Sequence, residues 1–163
     1  MRFVFGILVL FSVCAHAMEP VEVGETRFAQ ASLTVVSPGG EKSYGPAELE
    51  EFGTYALETI TPWRPDRTQF IGIRLRDLLD AHGIGDAPAI RVIAENDYTV
   101  TISRDNWTQH DPLIATRVDG KGHSRRNRGP IQFIFDMSGD PSVGDETFQS
   151  NWVWMAARIE IVK

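Results

Sequence analysis

The sequence predicts one α+β domain, mostly mixed or antiparallel β-sheet with a few short helices. Three observations lead there. From Ala89 onward the apolar residues fall in strand-length runs; helical spacing is confined to two short stretches in the first half; and Gly, Pro and Asp punctuate the chain between these segments.

Residues 18–30 show no sustained period and are expected to form a loosely packed arm ahead of a domain spanning residues 31–163. Ala31 to Ser37 alternates as a strand does, and Pro38-Gly39-Gly40 ends it. Pro46 stands where a first helical residue tolerates a missing N–H, so a short helix follows through Ala-Glu-Leu-Glu-Glu-Phe. Thr54 to Thr59 reads as a strand running into Thr61-Pro62-Trp63, with Arg64-Pro65-Asp66 forcing a loop. Leu75, Leu78 and Leu79 define a helix over Leu75 to His82 that Gly83 stops.

Strands are then expected at Ile90 to Ala94, Tyr98 to Ser103, Leu113 to Val118, Ile131 to Met137 and Val153 to Val162. A helical turn after Ser103 makes Trp107 a packing residue, and alternation with Val100 and Ile102 makes Tyr98 a core residue unless its hydroxyl reaches a site. Two polar loops, His123 to Gly129 and Ser138 to Asn151, are long enough to rim a functional site. In the last strand, period-two alternation assigns Val153, Met155, Ala157, Ile159 and Ile161 to the core. It sets Trp152 and Trp154 on the opposite face, where something must cover them.

Residues 1–17 (MRFVFGILVLFSVCAHA) combine Arg2, an apolar run and a small-x-small end at Ala15-His16-Ala17, the pattern of a cleaved secretory leader. That run is too short to span a bilayer. Export to the periplasm without membrane insertion is the expectation, and Cys14, the single cysteine, would leave with the leader. The formal net charge of −6 becomes one unit more negative once Arg2 is lost, which argues against a nucleic-acid partner. His82, His110 and His123 lack zinc-site spacing, Gly83-Ile84-Gly85 follows a helix rather than a strand, and there is no nucleophile elbow or P-loop.

An ordered series remains. It runs Leu57-Glu58-Thr59-Ile60-Thr61-Pro62-Trp63, Phe70 to Leu79, Asp97 to Ile102, Leu113 to Lys121, Gly129-Pro130 and Arg158-Ile159-Glu160. In that order the segments resemble the sulfite-oxidase type of molybdopterin-binding domain, from about Thr54 to the end. The family's metal-binding cysteine aligns with Thr59, whose hydroxyl is not a soft thiolate, and Gln132 stands where a basic residue is usual. Thr-Pro-Trp and Trp-Val-Trp resemble a cysteine-free, exported branch of periplasmic pterin-binding proteins. That resemblance implies a non-catalytic monomer reporting pterin status to the periplasmic domain of a membrane-bound enzyme that makes or degrades cyclic di-GMP. A molybdopterin-dependent oxidoreductase is the alternative.

A pterin, reduced or not, is a flat bicycle with a donor and acceptor edge. Its site needs aromatic walls and a polar reader. Trp63, Trp152 and Trp154 are the expected walls, Asp97 the edge reader, with Glu58 and Asn96 behind it and Thr59 nearby. Trp63 could equally plug the core beneath its turn. Arg117, on a strand face with Leu113 and Ala115, implies a salt bridge or a ligand contact. Arg125, Arg126 and Arg128 form the one basic concentration, suited to solvent, a phosphate or an acidic partner.

Overall fold

The alternating segments assemble into two sheets. A computed structural model describes residues 18–162, so the leader expected at residues 1–17 lies outside the described residues. The strands are β1 (Glu19–Pro20), β2 (Leu33–Ser37), β3 (Gly40–Tyr44), β4 (Tyr55–Thr61), β5 (Arg64–Arg74), β6 (Ala89–Ala94), β7 (Thr99–Ser103), β8 (Leu113–Val118), β9 (Lys121–Gly122), β10 (Gln132–Ile134) and β11 (Ala156–Val162). The helices are α1 (Pro46–Glu50), α2 (Leu75–Ala81) and α3 (Arg104–His110). One sheet has the order β1-β4-β5-β8-β10, with β9 on β8, and is antiparallel throughout. The other has the order β3-β2-β11-β6-β7, antiparallel except where β11 lies parallel to β2. The α+β class, with mostly antiparallel and mixed sheet and short helices, is as the sequence predicts.

Both sheets feed one core. Leu33 and Val35, Ile90 and Val92, Leu57, Ile73, Leu113, Phe133 and Ile159 come from seven different strands and share one buried cluster. Leu75, Leu78 and Leu79 are all fully buried, as their helical spacing requires, and each such side chain contributes about 1.5–3 kcal/mol. Pro46 opens α1 as expected, and Ser103 caps α3 by accepting from the Asn106 N–H at 3.3 Å, which seats the buried Trp107. Where β5 crosses β8, a Cβ on Gly72 would collide with the Ile114 carbonyl, so only glycine allows the two backbones to approach.

Four expectations need correction. Arg64-Pro65-Asp66 is not a loop: β5 starts at Arg64, directly after the two-residue turn Pro62-Trp63. Pro65 is tolerated because β8 pairs with β5 only from Phe70 onward, leaving that stretch with one neighbour. The strand expected over Ile131 to Met137 is only β10, and the last strand begins at Ala156 rather than Val153. Residues 21–30 have no regular structure, yet they are tied down rather than loosely packed. The Val21 N–H donates to the Thr54 carbonyl at 2.9 Å, and the Gly24 carbonyl accepts from Arg117 Nη1 at 2.8 Å.

Arg117 is the anchor of that arm, through the salt bridge that is the first of its two expected roles, and it does not line the aromatic cavity described below. Its guanidinium donates to both oxygens of Glu50, at 2.8 and 2.7 Å, and packs over the Phe28 ring at 5.3 Å. Thr116 donates to the same carboxylate at 2.6 Å. With side chains 6% and 8% exposed, the pair has little access to water, and removing one partner strands the other. Glu50→Ala is therefore expected to lower stability by about 3–5 kcal/mol in urea unfolding; a loss below about 1 kcal/mol would place this pair among weak surface bridges.

Candidate aromatic ligand site

The segment ahead of β11 joins the two sheets. The Phe133 N–H donates to the Val153 carbonyl and the Ala156 N–H to the Ile131 carbonyl, both at 2.9 Å, which binds the segment to the β10 side. Between them, the Met155 carbonyl accepts from the Glu95 N–H at 2.8 Å at the end of β6, in the other sheet. Met155 sits at φ 51°, a left-handed conformation that reverses the pleat at this one residue. The unbroken alternation expected from Val153 onward therefore fails: Val153 and Ala156 are both buried, Met155 is half-buried, and a register shift follows between Ala156 and Arg158. One slipped residue exchanges faces.

Trp152, at the end of the helical turn Gln149–Asn151, is also turned inward, correcting its expected place on a non-core face. It is 3% exposed, packs on Phe135 at 5.4 Å and donates from Nε1 to the Val143 carbonyl at 2.7 Å. Trp154 stays half-buried. Trp63, held out by the tight β4–β5 turn, meets both indoles edge to face, at 5.8 Å from Trp152 and 4.6 Å from Trp154. A cavity of about 340 Å³ opens against these three tryptophans. Asn96, Tyr98, Gln149 and Ser150 complete its lining.

The other predicted residues divide. Asn96 reaches the cavity; Asp97, one residue on in the β6–β7 turn at φ 64°, is exposed and does not line it. Glu58 also lies elsewhere, because alternation along β4 sends it outward to an exposed bridge with Arg67 at 3.3 Å. Thr59, fully buried, is off the cavity: its hydroxyl oxygen accepts from the Ser138 N–H at 3.0 Å and ties β4 to the following loop. Arg125 is consumed by Glu95, with both contacts at 2.7 Å, and Arg126 is exposed. Arg128 is drawn to the aromatic cluster, its guanidinium 4.5 Å from the Trp154 ring centre and 5.3 Å from that of Trp63.

Three contributors were not among the predicted site residues. Tyr98, expected in the core unless its hydroxyl reached a site, precedes β7 and is 42% exposed; its hydroxyl donates to the Ser150 carbonyl at 2.9 Å and closes the cavity rim. Gln149 and Ser150 had only one signal, the length of the polar loop that holds them. That loop, expected as a site rim, does supply one wall.

A larger cavity, about 550 Å³, is lined by His110, Asp111, Asp136 and Asp140 among others, but apart from Asp136 these groups already face ionisable partners. His110 meets Asp140 at 3.0 Å, and Asp111 holds Arg74 and Arg76. The aromatic cavity has no such mutual neutralisation and is the better ligand site. Among the described residues no group of three or more side chains could hold a metal ion, and no helix is long and apolar enough to cross a membrane. No family model matches the chain, and no curated protein matches it.

Away from the aromatic cavity, His123 is buried beneath Gly129, where a Cβ would run into its ring, and its Nε2 lies 2.9 Å from Gln132 Oε1. Burial lowers its pKa below the ordinary 6.5, against the Gln132 hydrogen bond and with help from Arg64. His82 is lowered in the same sense by burial and Lys42. The unfolded chain takes up these protons first, so the stability contributed is full above about 6.5 and is lost as pH falls from there toward the folded pKa values. The melting temperature is expected to drop across that window, and His123→Gln to flatten the slope. An unchanged slope in the variant would contradict a neutral buried His123.

Proposed function

We propose that this chain is a non-catalytic, monomeric pterin-binding protein of sulfite-oxidase-like fold. It is exported to the periplasm, where it signals pterin status to the periplasmic domain of a membrane-bound enzyme that makes or degrades cyclic di-GMP. The observation that carries the ligand half is the cavity walled by Trp63, Trp152 and Trp154, whose volume suits a small flat heterocycle. Aromatic contacts contribute about 0.5–1.5 kcal/mol each beyond the area they bury. The Asn96 amide and the Gln149 and Ser150 polar groups supply donors and acceptors for the ring edge. Thr59 supports a non-catalytic role: its buried hydroxyl is engaged by Ser138 and does not fit a molybdenum ligand.

For signalling, the 138–151 loop gives Gln149 and Ser150 to the cavity while Asp145, Glu146 and Thr147 face solvent. A ligand that favours one arrangement of this loop changes the surface a partner meets. The export and the partner rest on the leader pattern and the family resemblance.

One observation favours the molybdopterin reading: a third cavity of about 310 Å³ beside Arg64, lined also by Lys121, His123, Ser124 and Asn127, with Asp119 the one acidic group, could receive a phosphate. The two readings separate on one preparation. Calorimetry is expected to show pterin binding, weakened about tenfold by Trp63→Ala or Trp154→Ala, in protein that elemental analysis finds free of molybdenum. Equimolar molybdenum would move the assignment to the second reading. Unchanged pterin affinity in both variants would remove this site.

A further inference from the structure

The cavity beside Arg64 gathers cations that have no carboxylate. In a chain with 22 acidic against 16 basic residues, a surface cation has carboxylates to choose from. Even the half-exposed Arg67, Arg91, Arg104 and Arg125 each hold one at 3.3 Å or less. Arg64 and Lys121 line one cavity of about 310 Å³, and neither is ion-paired among the described residues, although Asp119 lines the same space. With His123 neutral, the lining is net positive. Burial chiefly, and the Arg64 charge as well, hold the His123 pKa below 6.5 against its Gln132 hydrogen bond, so a positive field extends to the buried side of the cavity. The frame is stiff. Lys121 pairs with Val118 across β8 and β9, the His123 N–H donates to the Thr116 carbonyl at 2.8 Å, and the Ser124 carbonyl accepts from the Asn127 and Gly129 N–H groups, both at 2.9 Å. The polar groups of the lining are thus positioned before any ligand arrives, which lowers the cost of binding.

We infer that this cavity is a second ligand site, which binds a small phosphorylated molecule through its phosphate and fills independently of the aromatic cavity. The inference does not rest on the pterin reading. No residue lines both cavities: Trp63 belongs to one and Arg64, next in the chain, to the other. The Arg128 guanidinium over Trp63 and Trp154 likewise directly follows Asn127, which lines the basic cavity. A phosphate carries more charge than a carboxylate and directs its oxygens tetrahedrally. That suits donors arriving from three segments: Arg64 on β5, Lys121 on β9, and the Ser124 hydroxyl and Asn127 amide of the following turn. A volume of about 310 Å³ falls at the lower end of small-molecule sites and leaves room for an organic group on the phosphate.

The test adds inorganic phosphate to nitrogen-15-labelled protein, with sodium chloride at matched ionic strength as the control. Phosphate is expected to move the backbone amide signals of residues 121–127 along one saturable curve that chloride does not reproduce. Arg64→Gln and Lys121→Gln are each expected to weaken that binding about tenfold. Saturation with pterin is expected to leave the phosphate curve in place. Shifts no larger than those in chloride would overturn the inference, by reducing the effect to general screening. Unchanged phosphate affinity in both variants would also overturn it, since the anion would then sit elsewhere. Loss of phosphate binding in the presence of pterin would overturn the independence of the two sites and point to one ligand spanning both. Phosphate binding in protein that takes up no pterin would remove the pterin reading and leave this inference standing. The wild-type comparison with chloride decides the question without depending on any variant folding.

Discussion

Met155 turns the chain from one sheet to the other, and the candidate site depends on that single reversal. On one side of it the backbone pairs with the β10 segment; on the other it enters β11, between β2 and β6. An extended residue here would continue the pleat and set Ala156 on the face opposite Val153, as period-two reasoning expects. The left-handed conformation instead buries both, while Trp152, at the end of the preceding helical turn, packs against Phe135 and Trp154 stays at the surface of the same cluster. The backbone strain is offset by three hydrogen bonds that hold the segment between the sheets: Glu95 to Met155, Met155 to Arg128 and Ala156 to Ile131.

The cavity therefore has walls of unequal stiffness. Trp63 rides on the tight β4–β5 turn and Trp152 is locked by its Nε1 contact to Val143, so two walls are built into packed structure. The remaining rim is the 138–151 loop, tied by Thr59 at its start and by the Tyr98 hydroxyl near its end. In the proposed function these two anchors bound the part of the protein that can respond to a ligand. Thr59 has a physical role that needs no metal: its buried hydroxyl connects β4, which carries the chain to Trp63, with the loop that closes the opposite side. Arg128 adds a cation over two of the three indole rings.

Much of this was legible in the sequence wherever local pattern and tertiary packing agree. The leucine spacing of α2, the proline start of α1 and the alternation of β2 and β6 all mark buried faces correctly. The three tryptophans could be recognised as one set because each stands beside a turn or polar loop. What stayed hidden depends on contacts distant in sequence. Pro65 sits inside a strand because β8 stops short of it, and Arg117 finds Glu50 from another element. The positive φ at Met155 has no signature in residue type, since methionine gives no hint of it. Tyr98 and Asp97 exchanged roles for a related reason. The β6–β7 turn puts Asn96 and Tyr98 at the cavity and leaves Asp97 in solvent, and alternation cannot report the facing of residues at a turn.

The four tryptophans provide their own control for the central claim, because Trp107 is the buried residue of α3, away from the aromatic cavity, whereas Trp63, Trp152 and Trp154 line it. The most direct measurement follows the indole N–H resonances in nitrogen-15 correlation spectra as pterin is added. The account predicts that the signals of Trp63, Trp152 and Trp154 move together along one binding curve while that of Trp107 stays in place. Three unmoved signals, or a shift confined to Trp107, would contradict it.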